Sequence, residues 1–132
     1  MTDIRLLSGR FLLDSQIFVW LDTGNPRLKK SVVDRLEYAE HRYLSAVTVW
    51  ELSLKQAAGR LQLSSPIHAM LAKFSLEELP VTIQHGDRAA ALPMIHGDPF
   101  DRMLVAQAEE ENLIVVTADR RLAQYSVPIL ML

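Results

Sequence analysis

The sequence predicts an α/β protein in which helices cover both faces of a central sheet. Short apolar segments alternate with segments of helical periodicity from residue 10 onwards, and such alternation is typical of parallel strands joined by crossover helices. The chain has 132 residues, 49% of them hydrophobic, which is enough for one core and too short for two domains. We therefore expect a single three-layer α/β/α domain over residues 1–132, with a mostly parallel sheet of four to five strands.

Short apolar segments predict the strands. In "RFLLD" three apolar residues precede an acid, "RYLSA" leads directly into a helix, and "LIVVT" is rich in β-branched residues. The predicted strands are residues 10–14, 42–46, 79–81, 113–117 and 127–132.

Helices are predicted where apolar residues recur at the spacing of one helical turn. Val32, Val33 and Leu36 form such a pattern after the turn-forming "TGNPRL", and a later helix is expected to be capped by Ser45 and stopped by Gly59. The predicted helices are residues 15–22, 29–40, 47–59, 66–77, 83–92, 98–112 and 118–125.

Composition and charge exclude several classes of function. With 16 acidic and 14 basic residues the net charge is -2, so no overall field attracts nucleic acid and any site for a polyanion must be local. Without cysteine the chain has no disulfide, thiol nucleophile or sulfur-ligated zinc. No apolar run reaches the roughly 18 residues of a membrane span, and "MTDIRLLSGR" lacks the apolar stretch of a signal peptide. We expect a soluble, cytoplasmic protein that does not bind membranes.

Acidic side chains stand where predicted strands end and helices begin. Asp14 ends the first strand and Asp119 follows "LIVVTA", and sites in open parallel sheets form at the carboxyl ends of strands. Asp98 and Asp101 open a helix three residues apart and lie on one face. Glu51 lies among apolar residues, where a carboxylate needs a partner.

These acids also have a purely structural interpretation. The segment "DPFD" fits an N-cap acid, a proline at the first helical position and an acid in the first turn. Asp14 and Asp119 stand where N-caps are expected, and Glu51 can pair with Lys55, an interaction worth only about 0.3 to 0.5 kcal/mol. Four acids that met in space would repel one another unless a cation neutralised them. Such a cluster of oxygen ligands suits Mg²⁺ or Mn²⁺.

Three segments of the chain resemble a known family. "LLDSQIFVWL", "LSAVTVWELSLKQAAGRL" and "IHGDPFDRMLVAQAEEENLIVVTADRRL" look like the successive signature segments of PIN-domain ribonucleases, specifically the VapC-type toxins of bacterial and archaeal toxin-antitoxin pairs. The resemblance runs from about residue 11 to the last residue, although residues 60–90 carry little signal. It implies a PIN-like form of the three-layer fold.

The resemblance also implies a set of site residues. The expected catalytic residues and metal ligands are Asp14, Glu51, Asp101 and Asp119, with Asp98 as a helix cap that contacts the metal or its water. The hydroxyls expected to orient the acids or a water are those of Ser15, Ser45 and Thr117. The bases expected to receive RNA phosphates are Lys55, Arg102, Arg120 and Arg121. His96 could face the substrate, but loop histidines are more often structural, and Trp20 and Trp50 are interpreted as packing residues.

The implied activity is that of an endoribonuclease dependent on Mg²⁺ or Mn²⁺, in which a metal-activated water cleaves the phosphodiester bond without a protein nucleophile. The implied partners are an RNA substrate, a cognate VapB-type antitoxin whose tail enters the active-site groove, and a second copy of the chain in a homodimer. Substitution of one ligand, such as Asp14→Asn, is expected to abolish cleavage while the fold is kept.

Other classes with acids at strand ends fit the sequence less well. A phosphoacceptor receiver domain needs adjacent acids after its first strand and a lysine at the end of its last, whereas Asp14 stands alone and "VPILML" has no lysine. A phosphatase of the haloacid-dehalogenase type needs the pattern D-x-D, and residue 16 is Gln. The remaining alternative is a non-catalytic PIN-like domain that binds RNA or a protein partner, against which the complete set of four acids argues.

Overall fold

Parallel strands and connecting helices alternate along residues 9–132, the part of the chain that the computed structural model describes. The strands are β1 (Arg10–Leu13), β2 (His41–Ser45), β3 (Glu77–Leu79), β4 (Ile114–Thr117) and β5 (Ile129–Met131). The helices are α1 (Ser15–Thr23), α2 (Lys30–Glu37), α3 (Ala46–Ala57), α4 (Ile67–Lys73), α5 (Ile83–Ala91), α6 (Pro99–Glu111) and a 3₁₀ helix (Arg120–Gln124). The predicted domain of 1–132 includes residues 1–8, which lie outside the described residues, so that boundary stays a prediction.

All five strands are parallel, in the order β3-β2-β1-β4-β5. From β1 the chain adds β2 and β3 on one side, and then returns to the other side of β1 for β4 and β5. The neighbouring carboxyl ends of β1 and β4 are therefore the topological switch point, where sites form in parallel sheets. Within residues 9–132 no helix combines the length and the apolar character needed to cross a membrane.

Each face of the sheet has its own hydrophobic core. Successive residues of β1 point to opposite faces, so Phe11 and Leu13 pack with α1, α2 and α4, while Leu12 packs with α6 and the segment after β4. All three side chains are at most 1% exposed. Burial on both faces explains the uninterrupted apolar sequence of β1, and the predicted three-layer α/β/α fold is confirmed.

The edge strand β3 is the element that the sequence placed wrongly. It spans Glu77–Leu79 rather than 79–81, and α4 ends at Lys73, earlier than predicted. Ser75 adopts a left-handed backbone conformation with φ 51°, which is incompatible with a continuing helix. Because β3 pairs with β2 alone, it tolerates two exposed glutamates and lacks the apolar run of a central strand.

Arg102 lies inside the protein, which corrects its predicted role in binding RNA phosphates. The residue is 9% exposed. Its Nη1 donates to the Pro93 carbonyl at 3.0 Å, and its Nη2 donates to the carbonyls of Ala89 at 2.8 Å and Leu92 at 3.1 Å. These carbonyls belong to the end of α5 and the segment after it, so both terminal nitrogens of Arg102 donate within the protein and join α5 to α6.

We predict that Arg102→Met lowers the free energy of unfolding by about 2 to 3 kcal/mol, because three carbonyl groups, including that of the buried Leu92, lose a charged donor. Urea unfolding followed by tryptophan fluorescence measures the change. The matched control is Arg120→Met, which removes an exposed guanidinium and should change the free energy by no more than about 0.5 kcal/mol. Equal unfolding midpoints for the two variants would contradict the structural role of Arg102.

Candidate active site

The carboxyl end of β1 holds the most enclosed of the predicted acids. Asp14 is 5% exposed and is the N-cap of α1. Its Oδ1 accepts a hydrogen bond from the Ile17 backbone N–H at 2.8 Å, as the cap interpretation predicts. Its Oδ2 accepts a hydrogen bond from the Thr117 hydroxyl at the end of β4. Capping therefore accounts for only one oxygen of this carboxylate.

Thr117 joins the ends of β1 and β4. Its buried hydroxyl donates to Asp14 and accepts a hydrogen bond from the Asp119 backbone N–H at 2.9 Å. Asp119 caps the 3₁₀ helix by accepting a hydrogen bond from the Arg121 backbone N–H at 3.0 Å. One hydroxyl thus sets the positions of both strand-end acids relative to each other.

The start of α6 adds two more acids to this edge of the sheet. Asp98 is the N-cap, and its Oδ1 accepts hydrogen bonds from the backbone N–H groups of Phe100 at 2.8 Å and Asp101 at 3.3 Å. This is the capping arrangement that the "DPFD" segment predicts. Asp101 carries its side chain towards the strand-end acids, since one of its oxygens is grouped with one of Asp119 within 4.8 Å.

His96 lies between these two acids, a position that the sequence did not indicate. It is 6% exposed, and its Nε2 lies 3.0 Å from Asp101 Oδ2 and 3.3 Å from Asp119 Oδ2. Its Nδ1 accepts a hydrogen bond from the Asp98 backbone N–H at 3.1 Å. The one available sequence signal was its place two residues before the acid pair of α6, which also fits an ordinary loop residue.

Glu51 projects from α3 and is 7% exposed. Its Oε2 lies 3.0 Å from Lys55 Nζ, so the local ion pair considered from the sequence is present. Ser45 is fully buried and caps α3 by accepting a hydrogen bond from the Val47 N–H at 3.1 Å, so its hydroxyl serves the helix start. Ser15 and Lys55 line a cavity of about 370 Å³.

Burial and mutual repulsion raise the pKa of two acids. Burial raises the pKa of Asp14 from 3.8 to about 6, and repulsion from Asp119 and Glu51 adds to the effect. Burial also raises the pKa of Asp101 to about 6, with neighbouring carboxylates including Glu51 and Asp14 adding to it. The pKa of Asp119 is lowered instead, because the Arg121 side chain donates to it. The structure therefore brings all four predicted acids close enough to interact.

A family model described as "PIN domain" matches residues 11–128. The chain belongs to the PIN-domain family. The match includes both strand-end acids, the acid of α3 and the two acids at the start of α6. The family resemblance inferred from the three motif segments is thereby confirmed.

The comparisons also place this PIN domain among the VapC-type ribonucleases, as the motifs predicted. It is 31% identical over 120 residues to Ribonuclease VapC22 of Mycobacterium tuberculosis (strain ATCC 25618 / H37Rv), an alignment that covers 89% of this chain and 92% of that protein. The crystal structure of VapBC2 from Rickettsia felis, bound to a DNA fragment from its promoter, has the same fold with a TM-score of 0.68. The sequences are 15% identical, and the match covers 92% of this chain and 97% of that one. A toxin-antitoxin complex from Klebsiella pneumoniae shares the fold with a TM-score of 0.63, 15% identity, and coverage of 91% and 95%.

The donor set of this PIN domain fits a small divalent cation. Within residues 9–132, Lys55 pairs with Glu51 and Arg121 pairs with Asp119, whereas Asp14 and Asp101 form no ion pair with a lysine or arginine. The remaining negative charge and the oxygen ligands suit Mg²⁺ or Mn²⁺. Within the described residues, His96, Asp101 and Asp119 each place one potential ligand atom within 4.8 Å of the other two. The charges of Asp14 and Glu51 interact with this group.

The remaining predicted residues of the PIN domain divide between its site and its surface. Arg121 Nη2 lies 3.0 Å from Asp119 Oδ2, and Arg120 is exposed beside it. Trp50 is 59% exposed, with its ring edge-on to Phe100 at 5.3 Å between centroids, so its predicted role in core packing is wrong. Trp20 packs against the core, as predicted.

We predict that Asp14→Asn stabilises the metal-free protein near neutral pH by about 1 to 3 kcal/mol. Asparagine is as good an N-cap as aspartate. Its amide N–H can donate to the Thr117 hydroxyl, which can rotate to accept a hydrogen bond in place of the one it now donates. The substitution also removes a charge whose burial is unfavourable. The pKa of Asp14 is about 6 in the folded protein and 3.8 ordinarily, so the protonated carboxyl group favours the folded state. Its contribution to the free energy of unfolding is complete below about pH 4 and is lost as the pH rises through about 6. The gain in the stability of the variant should therefore vanish near pH 4. Urea unfolding in the presence of chelator, at pH 7 and at pH 4, measures the change.

The matched control for this experiment is Asp22→Asn. Asp22 is also buried, but its two oxygens accept hydrogen bonds from the backbone N–H groups of Ser64 at 2.6 Å and Ser65 at 3.1 Å. An amide can accept only one of these bonds, so the control should lose stability near neutral pH. If Asp14→Asn lost stability to the same extent, the electrostatic crowding of the site would be disproved.

Proposed function

We propose that this VapC-type PIN ribonuclease cleaves RNA phosphodiester bonds as an endoribonuclease that depends on Mg²⁺ or Mn²⁺. The observation that carries the proposal is the meeting of four carboxylates, from β1, α3, α6 and the segment after β4, at one edge of the sheet. Two of them have a pKa raised to about 6, so the site holds more negative charge than its own bases compensate. A divalent cation supplies that compensation.

Asp14, Asp101 and Asp119 are the proposed metal ligands, and Glu51 completes the acidic set. When bound, Mg²⁺ or Mn²⁺ lowers the pKa of a water molecule and offsets negative charge on the phosphate. Asp98 supports the site from the main chain by fixing the start of the helix that carries Asp101.

The protein holds these carboxylates in place before any ligand arrives. Asp14 cannot rotate freely, because Ile17 N–H and the Thr117 hydroxyl each bind one of its oxygens. Thr117 also receives the Asp119 backbone N–H. Such preorganisation reduces the entropy lost when a metal and a substrate are oriented together. Of the three predicted hydroxyls, Thr117 is thus the proposed orienting residue.

Basic side chains at the rim are the proposed contacts for RNA phosphates. Lys55 and Arg60 line the cavity that also contains Ser15. Arg121 pairs with Asp119, and Arg120 precedes it in the chain and is exposed. Phosphate contacts of this kind position a strand without reading its sequence. They also explain how a chain of net charge -2 can hold a polyanion next to a cluster of acids.

We further propose that a VapB-type antitoxin binds this chain, that the chain forms a homodimer, and that it acts in the cytoplasm. Solved structures with the same fold include a VapBC protein bound to promoter DNA and a toxin-antitoxin complex. The uncompensated acids at the site are complementary to a basic side chain supplied by such a partner.

We predict that purified protein cuts a pool of cellular RNAs at discrete positions with Mg²⁺ or Mn²⁺ and that a chelator abolishes the cutting. Asp101→Asn should reduce the cleavage rate at least about 100-fold, because it removes charge that the ion needs. The control is Asp34→Asn on α2, a helix that leads to the start of β2 at the opposite edge of the sheet; it should cleave like the wild type. Mapping of the cut ends by sequencing measures both.

Two results would count against the proposal in different ways. Cleavage that persists in chelator would contradict the metal mechanism. RNA binding without cleavage under any metal condition would instead favour the alternative of a non-catalytic PIN domain that binds RNA or a protein.

A further inference from the structure

His96 contacts the proposed metal site through one ring nitrogen and the main chain through the other. We propose that His96 is a positioning residue, which holds Asp101 and Asp119 together as a hydrogen-bond donor and is not itself a metal ligand. This inference rests on the proposed function, since it concerns the same carboxylates, and it assigns a role that the four acids alone do not provide.

The hydrogen bonds of the ring define which nitrogen carries the proton. The Asp98 backbone N–H donates to Nδ1 at 3.1 Å, so Nδ1 offers a lone pair. In a neutral imidazole the other nitrogen, Nε2, then carries the hydrogen. Nε2 donates to Asp119 Oδ2 at 3.3 Å and lies 3.0 Å from Asp101 Oδ2. A protonated Nε2 has no lone pair for a cation, even though its distance to both acids would suit a shared ion.

The surroundings of the ring fix this orientation. The His96 backbone N–H donates to the Tyr125 hydroxyl at 2.9 Å, and Tyr125 is itself only 5% exposed. Asp98, whose N–H holds Nδ1, also caps α6 through its side chain. The same turn therefore starts the helix that carries Asp101 and orients the ring that contacts it. Rotation of the imidazole would break a hydrogen bond at a site that is almost closed to water.

An N–H donor is the appropriate group at this position. Asp101 and Asp119 come from different elements and repel each other. The Nε2–H group, which donates to Asp119 and whose nitrogen lies 3.0 Å from Asp101 Oδ2, offsets part of that repulsion. A lysine or arginine there would also neutralise the charge that a metal needs. The side chain of Arg121, which pairs with Asp119, is 62% exposed and can move away into solvent. The side chain of His96 is buried and cannot do so. Partners of this kind typically change metal affinity 10- to 100-fold when they are removed.

Two substitutions separate the donor from the acceptor function of the ring. In His96→Asn the amide oxygen replaces Nδ1 as an acceptor for the Asp98 N–H, but no donor reaches the acids. In His96→Gln the longer side chain places an amide donor near the position of Nε2. We expect the Kd for Mn²⁺, measured by calorimetry on the metal-free protein, to rise about 10-fold or more in His96→Asn and to stay within about threefold of wild type in His96→Gln.

The control is His68→Asn, which changes an exposed histidine on α4 and should leave the Kd unchanged. Urea unfolding in chelator checks that each variant is folded before titration. A second measurement needs no variant: ¹⁵N NMR of the wild-type imidazole should show a proton on Nε2 both without metal and with saturating Mg²⁺.

The outcomes distinguish this inference from the function on which it rests. If the wild type binds no Mn²⁺, the proposed metal site fails and the inference fails with it. If the wild type binds Mn²⁺ and His96→Asn binds it equally well, or His96→Gln is as weak as His96→Asn, only the positioning role is overturned. Loss of the Nε2 proton on addition of Mg²⁺ would make His96 a ligand, and would also overturn it.

Discussion

Repulsion among like-charged carboxylates at the switch point of the sheet is the constraint around which the site is built. Acids that are free to move would separate into solvent, and here they do not, because hydrogen bonds from Ile17, Thr117 and His96 hold them together. Those bonds are supported by a core on each face of the sheet. The stability gained by burying apolar side chains thus offsets the repulsion within the charge cluster. Such an arrangement is typical of functional sites.

The positions of the acids followed from sequence because they depend on topology. A strand that is buried on both faces has an uninterrupted apolar sequence, and the residues that follow it lie at the carboxyl edge of the sheet. The positions of Asp14 and Asp119 could therefore be predicted from the apolar segments before them. Their metal-binding and catalytic roles remain predictions. The edge strand β3 could not be located in the same way, since only one of its three residues is buried.

The error at Arg102 came from treating neighbours in a motif as neighbours in space, and the error at Trp50 came from treating it as a core position of its helix. Adjacent helical residues point about 100° apart, so Trp50 faces solvent although Glu51 beside it is buried, and Arg102 faces α5 although Asp101 belongs to the site. His96 was undervalued for another reason. Its place in the site depends on a contact with a backbone N–H and on the arrangement of two distant acids, neither of which leaves a sequence pattern.

The hydroxyl of Thr117 reaches Asp14 across 103 positions of the chain. A contact of such long range cannot form until β4 has been synthesised and has paired beside β1. During translation Asp14 and Glu51 therefore stay apart from Asp101 and Asp119 until that pairing has formed. The wide separation of these acids along the sequence thus delays the assembly of the acidic cluster until β4 and the segment after it are in place.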